Sequence, residues 1–200
     1  MFLRIFITIA ICCLPLPLLE AKNNHRAYNM ILTKRHFGIY VHNYALLGLE
    51  KNSWNFLGGK KDSQDKNRGV TAARELYEES SMVLDIRHDI KYLQGCSFYE
   101  FGSHKVFIHE PGNLVISCSE LNAAAIKAIN NKYLPHDYKE MSRYQLIKVS
   151  DLVSLAEAQT HDGAPGYYNH PEESKTMKID GWLLYTLKNA GTEILQPYIN

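Results

Sequence analysis

Apolar and polar residues recur along this chain with two different periods, and the changes of period divide it into elements. Residues 28–32, 37–41 and 44–49 carry the β-branched and aromatic pattern of strands, and residues 54–57 predict another. Around residue 75 the pattern becomes helical. At roughly 100° per residue, Glu75, Glu78 and Glu79 fall within about a third of the helix circumference, while Ala73, Leu76, Tyr77 and Ser80 turn to the other side. The expectation is a helix with one acidic face and one packing face.

Beyond it, residues 90–93 and 97–101 read as strands, Gly102-Ser103 as a turn, and 106–108 and 114–117 as further strands. An Ala- and Ile-rich helix is expected over 120–131 with Ser119 as its cap. Residues 144–149 return to a strand, 150–158 to a helix, and 161–168 to a loop with two tyrosines. A closing helix over 179–188 would pack Trp182, Leu183 and Tyr185 and end near Gly191. Strands interleaved with helices predict an α/β fold.

The chain has 200 residues, 46% of them hydrophobic, which suits one domain with a real core; a formal charge of +1 gives no strong nucleic-acid signature. Met1-Phe2-Leu3-Arg4, an apolar run over 5–19 and then Glu20-Ala21-Lys22 read as a secretory signal peptide cleaved after Ala21. The mature domain would then be 22–200, exported to a periplasmic or extracellular space, with no membrane contact after cleavage. An uncleaved membrane anchor is the alternative. Cys12 and Cys13 lie in this segment. Cys96 and Cys118 lack zinc or redox spacing and read as buried apolar residues or one disulfide, and the nine histidines show no close ligand spacing.

Three carboxylates within two helical turns repel one another when ionised, so a fold holds them with a nearby cation or with raised pKa values. Mg²⁺ suits such a set, since it prefers carboxylate oxygens and shares its remaining positions with water and phosphate. Arg74, next to Glu75 and four residues before Glu78, is placed to orient a carboxylate from outside a metal site.

Gly58-Gly59 follows the strand-like 54–57 and leads through a polar loop into this helix. The arrangement resembles the Nudix box: Gly, five residues, Glu, seven residues, Arg-Glu, an apolar residue, any residue, Glu-Glu, any residue, Gly, an apolar residue. Arg74, Glu75, Leu76, Glu78, Glu79 and Met82 match its second half in register. Two positions depart from it. Counting back from Arg74 puts Lys66 at the first Glu, whereas counting on from Gly59 reaches Asp65, so the loop carries one extra residue. Ser81 replaces the late Gly, which allows the helix to run on or to end by another geometry.

The resemblance implies a Nudix-like α/β/α sandwich with a mixed sheet. It further implies a pyrophosphohydrolase acting on a nucleoside diphosphate linked to another moiety, a nucleotide-type small-molecule substrate. Mg²⁺ or Mn²⁺ would be held by Glu75, Glu78, Glu79 and the backbone carbonyl of Gly59, with Arg74 in the catalytic set. Glu75 would add a ligand or act as base. Glu140 is a candidate further acid, with Glu100, Glu110 and Glu120 as rivals. The other reading is a catalytically weak or inactive Nudix-fold module that binds a nucleotide or protein. Neither the substrate nor the oligomeric state follows from the residues.

Overall fold

A computed structural model describes residues 25–171 and 176–199. The expected signal or anchor, residues 1–21 with Cys12 and Cys13, lies outside the described residues. In chain order the elements are β1 (Arg26–Phe37), β2 (Tyr40–Glu50), β3 (Ser53–Asn55), β4 (Leu57–Lys60), α1 (Arg68–Glu79), α2 (Ile90–Gly95), β5 (Ser97–Phe101) and β6 (His104–His109). Then come α3 (Cys118–Asn130), β7 (Met141–Lys148), α4 (Val149–Glu157), β8 (Gly166–Asn169), β9 (Thr176–Ile179), α5 (Gly181–Thr186) and α6 (Thr192–Leu195).

The strands form one sheet in the order β5-β6-β1-β2-β3-β9-β8, with β4 also pairing β1 and β7 pairing β2. It is mixed: β1 runs parallel to β6 and β3 to β9, and the other pairs are antiparallel. Side chains alternate along β1, and this period-two pattern separates two cores. Tyr28, Met30 and Leu32 join one cluster with residues of α4 and α5, including Leu152 and Leu184. Ala27 and Ile31 join the other, with Leu76 of α1, Leu93 of α2 and Leu121 of α3. Helices therefore cover both faces of a mixed sheet, the α/β/α arrangement expected.

Several boundaries differ from the sequence expectation. Residues 28–32 and 37–41 belong to one long hairpin whose outer half extends beyond the core, so no apolar alternation marks it. Residues 90–93 are helical, because Asp89 caps α2 by accepting from the Tyr92 N–H at 3.1 Å. Residues 114–117 contribute only an isolated bridge at Leu114, and Ser117 rather than Ser119 caps α3. The double-tyrosine segment is strand β8, paired with β9. The last helix starts at Gly181 and does not end at Gly191: a π turn over Leu187–Gly191 leads into α6. Trp182 is exposed, and Leu183, Leu184 and Leu187 do the packing. Cys96 and Cys118 are unpaired and half-buried.

A buried polar network fixes α1 to this framework. The Asn29 amide nitrogen donates to the carbonyls of Leu57 at 3.1 Å and Ala72 at 2.9 Å. Its oxygen must therefore accept, which makes Nε2 of His109, 2.9 Å away, the protonated ring nitrogen. Nδ1 then accepts from the Tyr92 hydroxyl at 2.9 Å. Burial pushes the His109 pKa down to about 4, so the ring is neutral. Asn29→Leu would leave the His109 N–H buried without an acceptor, costing about 2–3 kcal/mol. Scanning calorimetry should show Tm lowered by roughly 5–10 °C, and an unchanged Tm would show that the network carries no stability.

The end of α1 accounts for Ser81. Its N–H donates to the Glu78 carbonyl at 3.0 Å, and the Met82 N–H to the Tyr77 carbonyl at 2.8 Å, the paired bonds of a Schellman cap. Ser81 and Met82 have φ of 53° and 70°, so the turn a glycine would make is made by two side-chain-bearing residues. Met82, the apolar end of the motif, is exposed and leaves the packing to Leu84. Met82→Gly should relieve the left-handed strain by about 0.5–1 kcal/mol after the loss of chain entropy is counted, raising Tm by roughly 2–3 °C. A lower Tm in the same calorimetric scan would count against that strain.

Candidate active site

The loop before α1 closes on itself through Asp62 and Asp65. The Asp65 N–H donates to the Asp62 carbonyl at 3.1 Å, and the Asp62 N–H to Asp65 Oδ2 at 3.0 Å. Asn67 then caps the helix, accepting from the Val70 N–H at 3.0 Å. This turn buries the Asp65 carboxylate, where Arg74 donates to it from Nε at 3.4 Å and Nη2 at 3.0 Å. Lys66 is exposed. The shifted register is thus the one the fold uses, and Asp65 grips Arg74 rather than the acids of α1.

Arg74 also donates to Glu78 Oε2 at 2.8 Å and to the Lys60 carbonyl at 3.0 Å, and pairs with Glu75 Oε1 at 3.0 Å. One guanidinium therefore links a loop carboxylate, a strand carbonyl and two helix acids. Glu79 is engaged elsewhere: its carboxylate accepts a short hydrogen bond from the Gly58 N–H, and its backbone carbonyl another from the Tyr144 hydroxyl.

The expected division into an acidic face and a packing face is corrected here. Glu75 and Glu79 are only 8% and 3% exposed, buried beside Leu76, whereas Tyr77 is half-buried with its ring under the Arg87 guanidinium at 3.4 Å. Glycine permits this. A Cβ on Gly59 would lie 2.5 Å from Glu75 Oε1, and one on Gly58 would lie 2.3 Å from the Ala27 carbonyl of β1. The bare backbone at Gly59 leaves the Glu75 carboxylate its place against β4, and the one at Gly58 lets β4 pair closely with β1.

Burial lifts the Glu75 pKa to about 7 against the pull of Arg74, with Glu78 and Glu140 adding to the rise. Glu79 is raised well above the carboxylate range by burial and then by Glu75, with Glu140 and Glu50 contributing and the Gly58 N–H opposing. Glu78 is raised by burial and held back by Arg74. Among the rival acids, Glu140 is the one that acts on both Glu75 and Glu79. Glu100 pairs with Arg68 and Lys105, Glu110 accepts from the Tyr198 hydroxyl, and Glu120 sits exposed in the first turn of α3.

The residues present suit a hard divalent ion in their donor chemistry: oxygen ligands, buried carboxylates whose charges oppose one another, and a strand stripped of Cβ atoms where they meet it. The box acids are not drawn into a tight cluster. Among the described residues, His136, Asp137 and Glu140 are the set whose ligand atoms lie within 4.8 Å of one another. Arg74 holds Glu78 and Glu75 to itself while Glu79 turns to Gly58.

Two cavities share Glu50, which with Glu140 acts on the Glu79 carboxyl. One of about 280 Å³ is lined by Glu50, Lys51, His136, Lys139, Glu140 and Ser142. The other, of about 410 Å³, is lined by Arg26, Tyr28, Glu50, Asn55, His104 and Trp182 among others. Over it the rings of Tyr28, His104 and Trp182 form a stack, with centroids 5.9 and 6.2 Å apart and planes within 11°. A cavity of about 440 Å³ at the start of α1 is larger. None of the three is lined by Glu75, Glu78 or Glu79, but the first two carry Glu50, and one of them Glu140 as well, whose charges act on Glu79, and the largest carries neither. Glu50 and Asn55 were not singled out by the sequence reading. Their one signal is position: Asn55 lies inside the strand that runs into the glycine pair, and Glu50 a few residues before it.

No family model matches the chain, and no curated protein matches it. Among solved structures, it is similar to a MutT/Nudix family protein from Listeria innocua, at 14% identity over 66% of this chain and 82% of that one, with a TM-score of 0.35.

Proposed function

We propose that the protein is a divalent-metal-dependent pyrophosphohydrolase of Nudix type, cleaving the pyrophosphate bond of a nucleoside diphosphate linked to another moiety. The observation that carries this reading is the gathering of Asp65, Glu75 and Glu78 around the single guanidinium of Arg74, with Glu79 buried beside them on the Gly58 N–H and Glu75 buried against Gly59. Such a group keeps its charge only when further positive charge arrives.

Glu75, Glu78, Glu79 and the Gly59 carbonyl would hold Mg²⁺ or Mn²⁺. When bound, the ion supplies neutralisation of phosphate charge and acidifies water. In hydrolysis a water oxygen forms a bond to phosphorus while the bridging phosphorus–oxygen bond breaks, and the water's proton must be taken up. A carboxylate with a pKa near neutrality suits that task, which is the role of Glu75 where it stands outside the metal's ligands instead of among them. Arg74, fixed by Asp65, keeps Glu75 and Glu78 oriented. The exposed face of Trp182, backed by His104 and Tyr28, would carry the aromatic base, and Arg26 at the rim of that cavity a phosphate. We place the activity outside the cytoplasm on the amino-terminal sequence alone.

One observation favours the second reading, a module that binds a nucleotide without turning it over. Arg74 holds two of the three box acids, and their ligand atoms do not converge. A panel of nucleoside diphosphate derivatives with Mg²⁺, assayed for released phosphorylated products, separates the two. Glu79→Gln keeps the acceptor for Gly58 and removes a ligand charge, so it should lower turnover by about a hundredfold or more without lowering the metal-free Tm. Asp65→Asn keeps a weaker acceptor for Arg74 and should cost less than about tenfold. Equal turnover in the parent and Glu79→Gln would remove Glu79 from the site.

The raised acids also set a pH dependence. Their folded pKa values lie above the ordinary 4.5, so the stability contributed by their protonated forms is complete below about pH 4.5 and is lost as pH rises through about 7 for Glu75. With EDTA, Tm should fall between about pH 5 and pH 8; Mg²⁺ should raise it, and more at the higher pH, where it no longer competes with protons. A Mg²⁺ effect that is absent at the higher pH would refute metal binding here.

A further inference from the structure

The outer half of the β1–β2 hairpin projects from the domain, and every residue from 34 to 41 is exposed. Its end is apolar. Ile39 in the turn is 89% exposed and Tyr40 66%, with Phe37 and Val41 beside them. On the ladder Phe37 faces Tyr40, His36 faces Val41, Arg35 faces His42 and Lys34 faces Asn43.

Opposed residues of an antiparallel pair share a face and successive residues alternate. Phe37, Tyr40 and Arg35 therefore lie on one face of the ribbon, Val41 and Lys34 on the other, and Ile39 at the tip. Both faces repeat one order: apolar at the end, cationic behind. At about 3.4 Å per residue, Arg35 stands about 7 Å and Lys34 about 10 Å behind the Phe37–Tyr40 pair. No Asp or Glu occurs anywhere from Arg26 to Leu49.

We propose that this hairpin tip is a wedge that enters the surface of an anionic lipid membrane. A flat partner would cover one face of the ribbon and leave the other apolar face wet, whereas a bilayer surrounds both. The spacing agrees with a bilayer surface, in which apolar side chains sink about 5–10 Å and cations stay at the level of the phosphates. A second copy of the chain fits poorly, because tips laid side by side in the same direction would bring Lys34 and Arg35 against their own copies, and tips meeting end to end would leave the flanking apolar faces wet. The wedge departs from the sequence expectation that the mature chain makes no membrane contact.

The test is co-sedimentation of the full-length protein with large vesicles of phosphatidylcholine alone, or with about one third phosphatidylserine. The parent should bind the anionic vesicles preferentially. Ile39→Asp should lower that binding roughly tenfold, and Lys34→Glu with Arg35→Glu should abolish the preference for anionic lipid. Tyr40→Ser, a milder change on the same end, should weaken binding in the same direction. All variants keep residues 1–24, so whatever that segment contributes is common to them, and an unchanged Tm for each variant confirms its fold. The proposal is overturned if the parent does not bind, if it binds both vesicles equally, or if folded Ile39→Asp and Tyr40→Ser bind like the parent. Self-association of the parent that Ile39→Asp abolishes would assign the tip to a second copy instead.

Discussion

Arg74 is the one interaction on which the rest of the site depends. Its guanidinium reaches Asp65 in the loop, Lys60 at the end of β4, and Glu75 and Glu78 on its own helix. A planar group with five donors can hold several oxygens at once, which a lysine ammonium on a flexible stem would do less rigidly. Without it the loop would lose its tie to α1, and the two acids would face each other uncompensated. Its reach stops short of Glu79, which meets a backbone N–H instead of a charge. The site is balanced for the acids near the start of the motif and left electrostatically open at its end.

That opening is useful only because the sheet makes room for it. Gly58 pairs with Tyr28 of β1, and Gly59 with Ala27, so both glycines sit on a short strand laid against β1, where larger residues would ordinarily add packing. The missing side chain of Gly59 leaves room for the Glu75 carboxylate, that of Gly58 lets β4 lie against Ala27 and Tyr28 of β1, and the Gly58 N–H meets the Glu79 carboxylate. The network of Asn29, His109 and Tyr92 supports the same approach from the side by tying Ala72 of α1 to Leu57 of β4. A fully satisfied polar cluster in a dry interior specifies one docking geometry more sharply than apolar contact does.

What was legible in the sequence follows from range. The acidic helix, its Arg74 pairs and the glycine pair are local, and spacing along the chain is enough to find them. The long first strand was split because Thr33-Lys34-Arg35-His36 carries no inward face to show alternation. Residues 90–93 differ because Ile-Lys-Tyr-Leu, four residues with one charge among them, is compatible with either element, and only the Asp89 cap decides it. The register at Asp65 depended on a turn closed by two hydrogen bonds that no pattern of apolar residues reports. Asn29 was visible as a polar residue inside an apolar strand, but its partner His109 is eighty positions away and its role appears only once β1 and β6 lie side by side.

Ser81 shows how a departure from the expected motif is absorbed. Residues held at positive φ persist where their surroundings over-determine them, and here the surroundings come from β7. The Tyr144 hydroxyl donates to the Glu79 carbonyl and bonds the Ser81 side chain, so the last turn of α1 is clamped by a strand rather than closed by a glycine. The Tyr144 backbone is itself fixed, with its N–H donating to Asn122 of α3 at 2.6 Å and its carbonyl accepting from the same amide at 3.2 Å. Glu140 stands immediately before β7, four residues from Tyr144. The strand that fixes the end of the helix therefore also sets the one outside acid that acts on both Glu75 and Glu79. A shift of β7 by one residue would release the Ser81 turn and withdraw Glu140 together, which couples the geometry of the helix end to the charge of the site.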